Sequence, residues 1–100
     1  MMNMTPIELD GSHVIGIEVK LPKTTLLAVT TGKGYIMCGA LDIGLLNDKL
    51  KDRGIIAGRA VGVRTLQQLL DAPLESVTFE AEAIGVKAGM TGRDAILRML

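Results

Sequence analysis

Before Cys38 short runs of apolar and β-branched residues, alternating with polar ones at a period of two in the first two, are broken by turn residues at short intervals. Ile7-Glu8-Leu9-Asp10 is followed by Gly11-Ser12, a turn signal. Val14 to Lys20 resumes the alternation, with Ile15, Ile17 and Val19 on one face and Glu18 and Lys20 on the other. Pro22 cannot donate to a strand ladder, so Leu21-Pro22-Lys23-Thr24 ends this run. Thr25–Thr31 is rich in β-branched and apolar residues. Gly32-Lys33-Gly34 is of hairpin length, and Tyr35-Ile36-Met37-Cys38 returns. Four strands joined by short turns predict an antiparallel meander.

The period then lengthens. From Asp42 to Arg53, Leu45, Leu46, Lys49 and Leu50 fall on one helical face, Asn47, Asp48, Lys51 and Asp52 fall largely opposite, and Gly54 stands where a terminating glycine belongs. Ile55–Val63 reads as a fifth strand. Ala57, Arg59, Val61 and Val63 share one face, and Ile56, Gly58, Ala60 and Gly62 form a nearly flat second one. Thr65 is a cap for a short turn through Leu66, Leu69 and Leu70. Pro73 suits the first turn of a helix over 73–84, on which Leu74, Val77, Ala81 and Ile84 recur at helical spacing up to Gly85. Thr91-Gly92-Arg93-Asp94 resembles a capping box that opens a last helix with Ile96, Met99 and Leu100 as its apolar stripe. The order ββββ-α-β-α-α-α predicts an α+β fold, a mainly antiparallel sheet with helices packed on one face.

Composition narrows the function classes. One hundred residues, 48% apolar and 22% charged, suit a single domain spanning 1–100. Eleven basic residues balance eleven acidic ones, which argues against nucleic acid as a partner. No apolar run approaches the roughly 20 residues that span a bilayer, so no membrane partner is expected. Met1-Met2-Asn3-Met4-Thr5-Pro6 has neither the basic nor the apolar region of an export signal, and a cytoplasmic location is the expectation. One cysteine and one histidine are too few for a structural zinc site, and no cofactor is implied. With no Trp, one Phe and one Tyr, the core rests on aliphatic residues and methionine. Such a small domain gains from burying a further apolar face, so a homo-oligomer is expected.

Several longer segments carry a resemblance. Val19-Lys20-Leu21-Pro22-Lys23-Thr24, Gly34 to Asp42, Arg53 to Thr65, Leu70 to Val77 and Gly89-Met90-Thr91-Gly92-Arg93 together resemble the YunC-like family across essentially the whole chain. The resemblance implies a free-standing small domain of unknown function. It supplies no activity and no site residues.

Chemistry must therefore be read from the residues. Cys38 lies at the end of a predicted strand, shortly before a helix. There the helix dipole lowers a thiol's pKa, and Asp42 and His13 are the groups that could orient or deprotonate it. The plainer reading makes Cys38 a small buried apolar residue and Asp42 a helix cap. Arg59 and Arg64 flank the flat strand of Gly58 and Gly62, and with the capped terminus at Arg93 they define a candidate site for a small anionic ligand. The alternative pairs the arginines with Asp71, Glu75, Glu80 or Glu82. Asn47, mid-helix, suits a solvated face as well as a contact. Gly32-Lys33-Gly34 lacks the spacing of a phosphate loop. Three functions follow, in order of support. The first is a binding or regulatory module for a small anionic metabolite. The second is a cofactor-free enzyme with Cys38 as nucleophile or redox thiol. The third is a structural, homo-oligomeric interaction protein.

Overall fold

The computed structural model describes residues 2–39, 43–48 and 53–100. Six strands form one sheet in sequence order: β1 (Met2–Leu9), β2 (Ser12–Leu21), β3 (Thr24–Thr30), β4 (Gly34–Met37), β5 (Ile56–Arg59) and β6 (Ser76–Val77). All neighbours are antiparallel except β4 and β5, which run parallel. The meander is tied by tight turns. Asp10 and Gly11 sit at φ 49° and 85°, the left-handed pair of a two-residue hairpin, and Lys23 at φ 65° follows Pro22. At the third turn the Thr31 hydroxyl accepts from Lys33 and Gly34 N–H at 3.0 Å each and reaches the Met99 carbonyl at 3.0 Å, joining the hairpin to the last helix.

The described residues also form four short helices: α1 (Ile43–Asp48), α2 (Leu66–Asp71), α3 (Phe79–Ala83) and α4 (Gly92–Arg98). The α+β class and the meander are as expected. Thr65 and Thr91 cap α2 and α4 through the N–H groups of Gln68 and Asp94. Of the expected helix at 42–53, residues 43–48 are helical, and 42 and 49–52 lie outside the described residues. Two other expectations need correction. The fifth strand stops at Arg59, because Ala60 makes its last bond to β4 (N–H to the Met37 carbonyl, 2.9 Å) and Gly62, at φ 74°, turns the chain away. The helix expected over 73–84 divides. Pro73 bridges Thr91, Ser76–Val77 pairs with β5, and only Phe79–Ala83 is helical. The β-branched Val77 and Thr78 prevail over the helical spacing because Val77 finds a strand partner and Thr78 a cap position.

Register decides which side chains meet. Val14, Leu27, Val29 and Ile36 share one face of the sheet, are 1, 0, 0 and 0% exposed, and lie under α2 and α4. A Cβ on Gly92 would overlap the Leu69 carbonyl oxygen and press on Ile36, so only glycine lets α4 approach α2 and β4 this closely. The other face carries Ile15, Ile17, Val19, Leu26 and Ala28, all only partly buried, beside exposed Met2 and Met4. At its β4–β5 end α1 sets Ile43 and Leu46 on Ala57 and Tyr35 in a second, smaller core.

Thr78 is 2% exposed and joins these parts. Its hydroxyl donates to the Ile55 carbonyl at 2.7 Å and accepts from Ala57 N–H at 3.1 Å and Ala81 N–H at 3.2 Å. A hydroxyl has one proton and two lone pairs, and all are used. Thr78→Val keeps the shape but orphans two buried backbone N–H groups and a part-buried carbonyl, so chemical denaturation should show a loss of about 2–3 kcal/mol. That corresponds to a Tm lower by about 10–20 °C, and Thr78→Ser should recover most of it.

Candidate functional site

The residues singled out from the sequence do not form one cleft. Cys38 directly follows β4 and is 7% exposed within the main aliphatic core. Its N–H donates to the Leu27 carbonyl at 3.0 Å, and its Sγ accepts from Leu27 N–H at 3.5 Å. The thiol is thus a core group with a backbone partner. His13, the second residue of β2, is exposed opposite Glu8, with 4.0 Å between Nε2 and the carboxylate. The register sets Cys38 level with Leu27 and Glu18, two strands across from His13 and five residues along. That is about 17 Å along the strand and about 10 Å across it, so no proton passes directly between them. Asp42 lies outside the described residues.

Arg59 is engaged. Its Nη1 donates to Glu75 Oε2 at 3.0 Å, and its Nη2 donates to the Gly39 carbonyl at 3.1 Å. The guanidinium therefore ties the end of β4 to the β6 side of β5, the pairing with Glu75 that was the alternative to ligand binding. The Ser76 hydroxyl, and after it Arg59, hold the Glu75 carboxyl below its ordinary pKa. Gly58 is sealed beneath Leu74 and Val77, where a Cβ would come within 2.7 Å of Leu74 Cδ1. The flat face of β5 thus receives a neighbouring side chain. Gly62 is an exposed turn, and Arg93 lies half-buried in the first turn of α4. Asn47 has a structural partner: its Oδ1 accepts from Phe79 N–H at 3.0 Å, at the start of α3.

Arg64 is placed differently. It lines a cleft of about 580 Å³ with Lys20, Leu21, Lys23, Thr24, Thr25 and Val63. The β2–β3 turn forms one wall and the β5–α2 loop the other. That loop is fixed because Arg64 N–H donates to Gln68 Oε1 at 2.7 Å and Thr65 caps α2. Pro22 with Lys23 at φ 65° makes the turn that brings Lys20, Lys23 and the two threonines to the cleft. Among the described residues, three cationic side chains and two hydroxyls line it, with no carboxylate. Sequence reading found Arg64 but not Lys20 or Lys23. The sign that could have found them is two lysines flanking Leu21-Pro22, since a tight turn at proline returns both toward the same end of the sheet.

Two outcomes test these placements. In folded protein Cys38 should react with a maleimide at least about 100-fold more slowly than free cysteine, and at the free rate once denatured. Because Glu75 has a lowered pKa when folded, its stabilising contribution is present above the ordinary carboxylate range and lost as pH falls through it toward the folded value. The stability difference between wild type and Glu75→Gln should therefore be largest near neutral pH and shrink toward about pH 3, as read by denaturant midpoints.

Comparison with known proteins places the chain. Residues 37–99 match the family model described as "Domain of unknown function (DUF1805)". The chain is 63% identical over 100 residues to the uncharacterized protein YunC of Bacillus subtilis (strain 168), covering 100% of this chain and 99% of that one. It superposes on the crystal structure of a protein of unknown function, TA1206, from Thermoplasma acidophilum with a TM-score of 0.89 at 32% identity, covering 100% of this chain and 94% of the other. With the family model covering more than half of the chain and a relative aligned from end to end, the chain belongs to the DUF1805 family of YunC-like domains.

Proposed function

We propose that this domain is a binding module for a small anionic metabolite, held in the cleft between the β2–β3 turn and the β5–α2 loop. The observation that carries the reading is the lining among the described residues: Lys20, Lys23 and Arg64 with Thr24 and Thr25. A volume of about 580 Å³ lies in the range of small-molecule sites, which run about 300–1,000 Å³. Arginine offers a planar fork to a phosphate or carboxylate, lysine a mobile point charge, and threonine hydroxyls complete the donor set. Val63 and Leu21 give the cleft an apolar side, which suits a metabolite with a carbon skeleton better than a bare inorganic ion. The ligand site expected from the sequence shifts accordingly: Arg64 stays in it, while Arg59 and Gly58 serve the fold.

Inorganic phosphate, pyrophosphate and citrate titrated into isotopically labelled protein should shift the amide signals of residues 20–25 and 63–64. Arg64→Gln and Lys23→Gln should each weaken the binding about five- to tenfold, and Arg59→Gln should leave it unchanged. Raised salt should weaken it further. Absence of any shift up to about 10 mM of all three anions, or unaltered affinity in Arg64→Gln, excludes the reading.

A further inference from the structure

The sheet has two faces, and among the described residues the helices cover only one of them along β1–β3. Alternation places Met4, Ile15, Ile17, Val19, Leu26 and Met37 together on the face opposite α2 and α4. Among the described residues α1 covers this face only at its β4–β5 end, over Tyr35 and Ala57. Exposure tells the same story. The inward neighbours Val14, Leu27 and Val29 are at most 1% exposed, whereas Ile15, Ile17, Val19 and Leu26 are all partly open and Met4 is 63% exposed. The strand residues on this face that carry or can carry charge stand at its margins, Glu8 and His13 at one end and Arg59 on β5.

We infer that this face is covered by a second copy of the chain, sheet against sheet. The open part, β1–β3, is three strands spaced about 4.8 Å apart and 8, 10 and 7 residues long, a projection of roughly 14 by 28 Å per copy. Across two copies that is about 800 Å² of flat projection, and the accessible area of a corrugated side-chain surface exceeds its projection, which brings it to the roughly 1,000 Å² that a specific interface needs. Per copy the projection is about 400 Å², the size of the largest apolar patch on a typical monomer, and patches of that size are often functional. A self-complementary two-fold pairing suits a face with no interior charge, since like meets like without repulsion. The sheet's free edge is the poorer partner. Pro6 lies in the middle of β1 opposite Ile15, and its missing N–H interrupts the outward row of donors. Two twisted sheets stack about 10 Å apart, and unbranched methionines such as Met4 and Met37 fill the resulting gaps.

The test is the mass in solution by sedimentation at about 100 µM, together with two substitutions. In a single chain the lysine of Ile17→Lys or Met4→Lys reaches water, and in the pair it is buried, so each should raise the dissociation constant about 100-fold or more. Wild type is expected at twice the 10.6 kDa chain mass. At least one variant with a dispersed amide spectrum is expected at the single-chain mass. Met4→Lys, on the exposed edge strand, serves if Ile17→Lys does not fold. A wild-type mass of one chain or of more than two, or two folded variants that keep the wild-type mass, overturns the inference.

Discussion

The hydroxyl of Thr78 is the constraint on which the second half of the molecule depends. β5 is the only strand that joins the sheet in parallel among the described residues, so its start cannot be fixed by a tight turn as the meander strands are. Thr78 fixes it, bonding Ile55 and Ala57 at the head of β5 while capping α3 through Ala81. Asn47 adds the neighbouring N–H of Phe79 from α1. With β5 set, Gly58 lies under Leu74, Arg59 reaches both Gly39 and Glu75, and the chain leaves at Gly62 toward Arg64. The position of Arg64 beside the β2–β3 turn is thus a consequence of a buried hydrogen-bond junction in another part of the sheet.

That dependence explains why the two groups of arginine and cysteine residues parted company. Position 38 and position 59 are adjacent in the fold, since Arg59 bonds the carbonyl of Gly39, yet the side chains serve opposite environments. Cys38 points to the face that α2 and α4 cover, and Arg59 to the other. A strand end brings a thiol and a guanidinium close in sequence register and then separates them by the pleat. The cations that do converge, Lys20, Lys23 and Arg64, come from a turn and a loop, whose paths are set by proline, positive φ and a side-chain bond to Gln68.

Much of the fold was legible because it is local. The meander followed from period-two alternation and turn residues, and the caps at Thr65 and Thr91 from single hydroxyls. What was hidden was tertiary. Leu74, Val77, Ala81 and Ile84 have helical spacing, but Val77 pairs with Gly58 and Thr78 serves β5, partners some twenty residues away that no local pattern announces. The site was half legible for the same reason. Charge and residue type picked out Arg64, whereas the partnership with Lys20 and Lys23 required knowing that β3 lies beside β2 and that the loop before α2 folds over their shared turn.

The interruption at Pro6 and the brevity of β6, two residues long, together mean that neither border of the sheet is a good template for strand recruitment. A layer with two receptive borders can grow without limit into a fibre. Here lateral polymerisation is closed off at both ends, so the molecule keeps an oily surface without the hazard of amyloid-like growth that such a surface usually brings.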